Sequence, residues 1–208
     1  AEIGTVVYLA VNEKFAGFFI ISDELKPDSK EAIRRLENRK IHTVMLTGDS
    51  KAAGEKTADE LGMDACYTEL LPQQKVLEME KLKSEVPAEK KIIFVGDGVN
   101  DAPVLACADI GIAMGGLGSD AAIEAADVVL MTDEPSKLLT AMRIAGKTHA
   151  IVRENIIFAL GVKLLILILA GFGAATMWEA VFGDVGVAIL SVLNSIRVTT
   201  LVKPKQGH

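Results

Sequence analysis

From Ile156 to Met177 the chain runs through 22 residues with a single charged side chain, Lys163. At ~1.5 Å per helical residue, that length crosses a ~30 Å hydrocarbon layer. A second stretch, about Trp178 to Leu201, is nearly as apolar and carries Asp184, Asn194 and Arg197. The two stretches adjoin, so the sequence predicts two transmembrane helices, about 155–177 and 178–201, closed into a tight hairpin. Trp178 suits a membrane interface. Arg143, Lys147 and Arg153 precede the hairpin, Lys203 and Lys205 follow it, and Met177–Gly183 holds no Lys or Arg. The excess of basic residues on the cytoplasmic side of membrane proteins then puts both hairpin ends, and everything before them, in the cytoplasm.

Two charges inside this segment need an explanation. Lys163 lies about eight residues, ~12 Å, from the cytoplasmic end of its helix. Asp184 lies about six residues, ~9 Å, from the opposite end of the next. In a ~30 Å layer this leaves ~9 Å of depth between the two backbones, and a lysine side chain spans much of it. Each charge alone costs at least ~2.5 kcal/mol near the bilayer centre. Pairing them, or holding a cation at the carboxylate, offsets that cost. The expectation is an ion pathway in which Asp184 meets a cation and Lys163 is the counter-charge. A purely structural ion pair is the other reading.

The rest of the chain has a different character. Residues 1–152 carry a net charge of −8 and residues 153–208 carry +2, which together give −6 over 208 residues. Half the residues are hydrophobic, and the mean hydropathy of +0.34 comes mainly from the tail. This composition excludes an intrinsically disordered chain and a basic nucleic-acid binder. Two cysteines, Cys66 and Cys107, exclude a disulfide scaffold and read as reduced thiols. His42, His149 and His208 are scattered and read as structural or surface residues. The chain opens at Ala1 with no basic leader and enters a strand pattern at once, so it is expected to begin partway through a larger protein.

Residues 5–11 and 15–21 are apolar runs around a turn signal at Asn12–Lys14, which predicts a hairpin. Asp23 and Pro27 bracket a helix start, with Ala32, Ile33 and Leu36 on one face. A short buried strand, 43–46, is followed by a helix with Ala53, Thr57, Ala58 and Leu61 on one face, ending at Gly62. A helix over about 73–84 carries Val76, Leu77 and Leu82. A strand over 92–95, a helix near 101–107, a strand over 110–113, a helix over 120–126 capped by Ser119 and a strand over 128–131 complete the series. Strands alternating with helices predict an α/β, Rossmann-like parallel sheet.

In such a sheet the C-terminal strand ends converge on one crevice. Thr47-Gly48-Asp49 there offers a hydroxyl and backbone N–H groups suited to a phosphoryl oxygen, although this triplet alone is also a plain turn. Gly96-Asp97-Gly98-Val99-Asn100-Asp101 supplies a tight turn, two carboxylates and an amide. These are hard oxygen donors of the kind Mg²⁺ takes, usually together with phosphate. Lys75, after Leu71-Pro72, starts a helix and can act as a point charge on phosphate. Taken alone it would read as a surface lysine.

These residues resemble a known family. T-G-D at 47–49, L-P-x-x-K at 71–75 and G-D-G-V-N-D-A-P at 96–103 are similar to the phosphorylation domain of P-type cation-transporting ATPases, members of the haloacid-dehalogenase superfamily. D-E-L-K-P at 23–27 resembles the segment leading into that domain's second part, and 111–130 resembles the heavy-metal branch. Asn155 and Lys163 match N-x(7)-K, and Asp184-Val185-Gly186 matches D-x-G, as in the last two membrane helices of zinc/cadmium/lead exporters. The copper and cobalt branches carry other signatures there. The resemblance implies that residues 1–20 are the final hairpin of a nucleotide-binding domain, 21–146 the second part of the phosphorylation domain, and 147–208 two membrane helices with a cytoplasmic tail.

It also implies roles. Asp97 would be the principal Mg²⁺ ligand, with Asn100 and Asp101 completing and orienting that site. Thr47 and Lys75 would hold the aspartyl-phosphate oxygens, with Gly48 and Asp49 shaping the phosphate site. Asp184 with Lys163 would form the transported-metal site, for Zn²⁺, Cd²⁺ or Pb²⁺. ATP would be the energy source and a bacterial cell membrane the location. The family's D-K-T-G-T nucleophile, its Cys-Pro-Cys metal ligands and most of the nucleotide domain do not occur in these 208 residues. The expected sheet therefore lacks its central strand and has a gap beside the strand at 92–95. This chain alone is expected to form no aspartyl-phosphate and to need the N-terminal part of the same pump as its partner, along with the membrane and a soft divalent ion. The alternatives are a split half or non-catalytic membrane partner that complements or regulates a pump, and a membrane-tethered phosphatase, which would need a nucleophilic Asp of its own.

Overall fold

The computed structural model describes residues 5–21, 24–96, 99–115, 120–174 and 176–201. Asp23, Asp97, Gly98, the loop at 116–118, Ser119, Lys203, Lys205 and His208 lie outside the described residues. The chain forms two compact units, Ala1–Leu139 and Thr140–His208.

The first unit opens with an antiparallel hairpin of β1 (Thr5–Val11) and β2 (Lys14–Ile21). Its two-residue turn holds Asn12 at φ 50° and Glu13 at φ 62°, left-handed values that match the twist of paired strands. The parallel α/β series follows: α1 (Ser29–Glu37), β3 (Val44–Leu46), α2 (Lys51–Leu61), β4 (Ala65–Tyr67) and α3 (Pro72–Glu85). Then come β5 (Ile93–Gly96), a 3₁₀ turn at Val99–Asp101, α4 (Ala102–Cys107), β6 (Ile110–Met114), α5 (Asp120–Ala125) and β7 (Val128–Leu130). Ala32 and Leu36 of α1 are buried as their spacing predicts. Two details depart from the sequence reading. β4 is an additional strand, too short at three residues for an alternation to show. On α3, Leu77 is 63% exposed and the buried residue is Met79, because the inward face of that helix is one narrow stripe.

The core lies between β5–β6–β7 and the helices α4 and α5, around Leu105, Ala113 and Ala122 with Phe94 and Val129 against them. Gly111 lets α4 close onto β6: a Cβ there would come within 2.6 Å of the Leu105 carbonyl oxygen. The sheet is in two pieces, β3–β4 and β5–β6–β7. Among the described residues β5 pairs with β6 alone and β3 with β4 alone.

One device recurs at the N-terminal strand ends. Asp64, Asp109 and Asp127 each stand immediately before a strand and reach back to the start of the preceding one. The Asp64 carboxylate accepts the Thr43 N–H at 2.6 Å, Asp109 that of Ile92 at 2.9 Å, and Asp127 that of Gly111 at 2.8 Å. In return each aspartate donates its own N–H to the carbonyl of the same residue.

The second unit is helical. α6 (Ser136–Gly171) begins where the Asp28 carboxylate accepts the Ser136 N–H at 2.9 Å, a negative group at a helix N-terminus. It ends in a Schellman turn: Ala174 N–H bonds the Leu169 carbonyl, Gly173 N–H bonds that of Ala170, and Gly173 takes φ +72°. Thr176 then caps the second helical segment, its N–H and hydroxyl both donating to the Glu179 carboxylate. The first helix thus ends at Gly171, not near 177 as hydropathy alone suggested. The second segment is α7 (Met177–Val181), a π-helical turn at Phe182–Gly186, α8 (Val187–Ser195) and a 3₁₀ end at Ile196–Leu201. The segments Ser136–Gly171 and Met177–Thr199 are each long and apolar enough to cross a membrane.

The strand-start N–H groups hold the Asp64 and Asp109 carboxyls below the usual aspartate range. A depressed folded pKa adds stability above the unfolded value of about 3.9 and loses it as pH falls through the folded one. Asp109→Ala is therefore expected to lower the urea midpoint at neutral pH, and that difference should vanish under strongly acidic conditions. Unfolding curves of the two proteins across pH check this.

Candidate functional site

The site is built from the C-terminal ends of β3 and β5 and the start of α3. Thr47 follows β3 directly, and the next turn fastens it. Its N–H donates to the Tyr67 carbonyl, the Leu70 N–H donates to its carbonyl, and the Glu69 N–H donates to that of Asp49. Gly48 passes under this turn, where a Cβ would meet the Leu70 carbonyl oxygen at 3.2 Å. The Thr47 hydroxyl donates to Asp49 Oδ2 at 2.8 Å and accepts the Asp49 N–H at 3.1 Å. Thr47-Gly48-Asp49 is therefore an ordered loop with its hydroxyl and carboxylate side by side.

Lys75 sits in the first turn of α3, which starts at Pro72, with Leu71 N–H held by Gln74 Oε1. Its Nζ donates to Asp101 Oδ1 at 3.0 Å, with the side chains only 19% and 14% exposed. Asp101 closes the 3₁₀ turn after β5 and precedes α4 without capping it, so its carboxylate is turned to the lysine. Gly96 is the reason it fits: a Cβ there would meet Asp101 Cβ at 2.9 Å and Oδ2 at 3.0 Å. The strand end is thus a cradle for a carboxylate with one oxygen on Lys75 and the other over Gly96. Asn100, on the same turn, is exposed.

The structure brings Lys75 to Asp101 and Thr47 to Asp49. No hydrogen bond or ion pair joins these two pairs among the described residues. The oxygens of Asp101 and Asn100 are hard donors of the type Mg²⁺ takes, and Gly96 lets the Asp101 carboxylate lie close against the end of β5. Among the described residues no three His, Cys, Asp or Glu side chains converge as a metal cluster. The sequence reads Gly96 as part of a tight turn; the structure adds that it is also the point where the Asp101 side chain approaches the strand.

In the helical unit, Lys163 Nζ lies 3.2 Å from Asp184 Oδ1. The sequence estimate left ~9 Å of depth between the two backbones because it placed the helix break near 177. With the break at 172–176, Lys163 lies eight residues before Gly171 and Asp184 seven after Met177, so they stand at nearly one depth. Asp184 is in the π-helical turn, a local widening that often marks functional positions. Gly183 beside it lets the helices close: a Cβ there would come within 2.3 Å of the end of the Ile166 side chain. Lys163 is 59% and Asp184 76% exposed along the hairpin's side.

Residues 1–109 match the model of the haloacid dehalogenase-like hydrolases. The chain is 58% identical over 199 residues to a cadmium, zinc and cobalt-transporting ATPase of Bacillus subtilis, with 95% of this chain and 28% of that protein covered. It is 55% identical to a zinc-transporting ATPase of Synechocystis, covering 94% of this chain and 27% of the relative. Its structure is similar, at TM-score 0.78 and 37% identity, to a crystal structure of a zinc-transporting PIB-type ATPase in the E2.Pi state, covering 93% of this chain and 31% of that one. The chain thus spans less than a third of the length of the relatives it matches.

Removing Lys75 strands the mostly buried Asp101 carboxylate. Lys75→Met is expected to destabilise the first unit by about 1.5–3 kcal/mol, the worth of a hydrogen bond to a charged group. Adding Asp101→Asn should recover much of that loss, because the pair acts as one. Denaturant unfolding of the single and double variants measures the coupling.

Proposed function

The chain belongs to the haloacid dehalogenase-like hydrolase family, and on that premise we propose that it is the C-terminal part of a P-type ATPase that exports Zn²⁺, Cd²⁺ or Pb²⁺ through an aspartyl-phosphate. The observation that carries this reading is the Lys163–Asp184 pair, 3.2 Å apart between two apolar helices. A lone charge at that depth is costly, and a carboxylate with a mobile counter-charge is suited to taking up and releasing a cation. Zn²⁺ accepts carboxylate oxygen, and as the cargo it displaces the lysine from Asp184.

In this reading residues 1–20 are the end of a nucleotide-binding domain, 21–146 the second part of the phosphorylation domain and 147–208 its last two membrane helices. Thr47 donates its hydroxyl to a phosphoryl oxygen once Asp49 releases it. Lys75 neutralises phosphoryl charge, and Asp101 holds the Lys75 ammonium in place for that task. Phosphoryl transfer depends mainly on such positioning and charge neutralisation. Asp97, Asn100 and Asp101 would hold Mg²⁺, which supplies further neutralisation of phosphate charge. The nucleophilic aspartate, most of the ATP site and further metal ligands come from the N-terminal part of the pump. The edge of β5 that lies unpaired among the described residues is where the nucleophile's strand belongs. The exposed apolar residues along both helices, such as Leu160, Leu164 and Leu167 of α6 and Ile189, Val192 and Leu193 of α8, face lipid and the other membrane helices. In this reading the flanking basic residues favour both hairpin ends in the cytoplasm, and the resemblance to the exporters implies a bacterial cell membrane.

Asp184→Ala in the complete pump is expected to abolish metal-stimulated ATP hydrolysis; stimulation at the parent level would refute the transport-site role. The chain by itself, incubated with labelled ATP and Mg²⁺, is expected to yield no acid-stable phosphoprotein.

A further inference from the structure

Away from the charge pair, the two helices are joined by one connected polar network. Asn155 of α6 donates from Nδ2 to the Ser191 carbonyl and to Ser195 Oγ, each at 3.1 Å. Its Oδ1 accepts from Asn194 Nδ2 at 2.8 Å. Asn194 Oδ1 accepts from Arg197 at 2.8 Å, and Arg197 also reaches Glu154 at 3.3 Å. Both ends of the Asn155 carboxamide are thus engaged across the gap between helices.

The facing pairs describe one antiparallel register. Asn155 meets Asn194, Lys163 meets Asp184, and Ile166 covers Gly183. A slip by one helical turn, ~5.4 Å, would break all three. The apolar residues around them do not choose between registers, because lipid tails receive leucine and isoleucine as well as a neighbouring helix does. Polar clasps and close glycine contacts must set it. Asn155 stands eight residues, ~12 Å, from Lys163, too far to touch an ion at Asp184.

We infer that Asn155 is a positioning residue: its carboxamide, shared with Asn194, Ser191 and Ser195, fixes the hairpin register that sets the Asp184 carboxylate on Lys163 and so tunes its affinity for the transported ion. The inference rests on Asp184 being the transport site. In the full-length pump, Asn155→Ala is expected to raise the Zn²⁺ concentration for half-maximal ATPase stimulation roughly tenfold, the effect of losing one or two interhelical hydrogen bonds. Phosphorylation from inorganic phosphate, which needs no transported ion, should be retained. Asn194→Ala should behave alike, the double variant should be no worse than either single one, and Ser195→Ala should shift half-saturation less in the same direction. Unchanged half-saturation in the single variants, additive effects, or a parallel loss of phosphorylation from phosphate overturns the inference. Asp184→Ala, measured alongside, separates the two readings. Stimulation that survives it removes the transport site itself, whereas stimulation lost there with normal half-saturation in Asn155→Ala removes the clasp alone.

Discussion

A lysine and an aspartate placed in apolar helices are tolerated when they meet, or when a cation sits at the carboxylate. Each alone costs at least ~2.5 kcal/mol near the bilayer centre. The geometry of the second unit follows from bringing them together. The Schellman turn at Gly173 and the Thr176–Glu179 cap place the break so that Lys163 and Asp184 stand level. The π-helical turn carries Asp184, Gly183 admits Ile166, and the Asn155 network holds the far end. Each feature narrows the set of registers to the one in which Lys163 Nζ is 3.2 Å from the carboxylate.

The first unit separates stability from chemistry along its strands. At the N-terminal strand ends, Asp64, Asp109 and Asp127 exchange paired hydrogen bonds with the strand before them. At the C-terminal ends, Thr47 bonds to Asp49, and Asp101 bonds separately to Lys75 from the start of α3. In the proposed function, the side that meets phosphate can therefore reorganise without loosening the sheet. β5 and β3 each pair on one side among the described residues, which leaves the sheet in two pieces joined through the chain. A third parallel strand between them would complete both ladders.

Much of this was legible in the sequence because the periodicities are long and the motifs specific. The hairpin, α1, α2 and the strands ending in Thr47 and Gly96 follow from their patterns. The Lys163–Asp184 pairing was legible from the cost of leaving either charge alone in an apolar helix. What was not legible has physical causes. β4 holds three residues, too few for an alternation. Leu77 of α3 looks like a core residue, but the narrow buried stripe runs through Met79. The helix break was misplaced because hydropathy does not register a turn whose residues are themselves apolar. Gly173 and the T-x-x-E box at Thr176–Glu179 were the available signals. The three strand-tying aspartates carry no motif beyond standing just before an apolar run.

The central claim is that the Asp184 carboxylate is where the ion sits. Equilibrium Zn²⁺ binding to the purified complete pump, with and without Asp184→Asn, tests it most directly. The account predicts that the neutral amide, which keeps the shape and loses the charge, removes binding at the membrane site while the fold is preserved. Superimposable binding isotherms of the two proteins would contradict it.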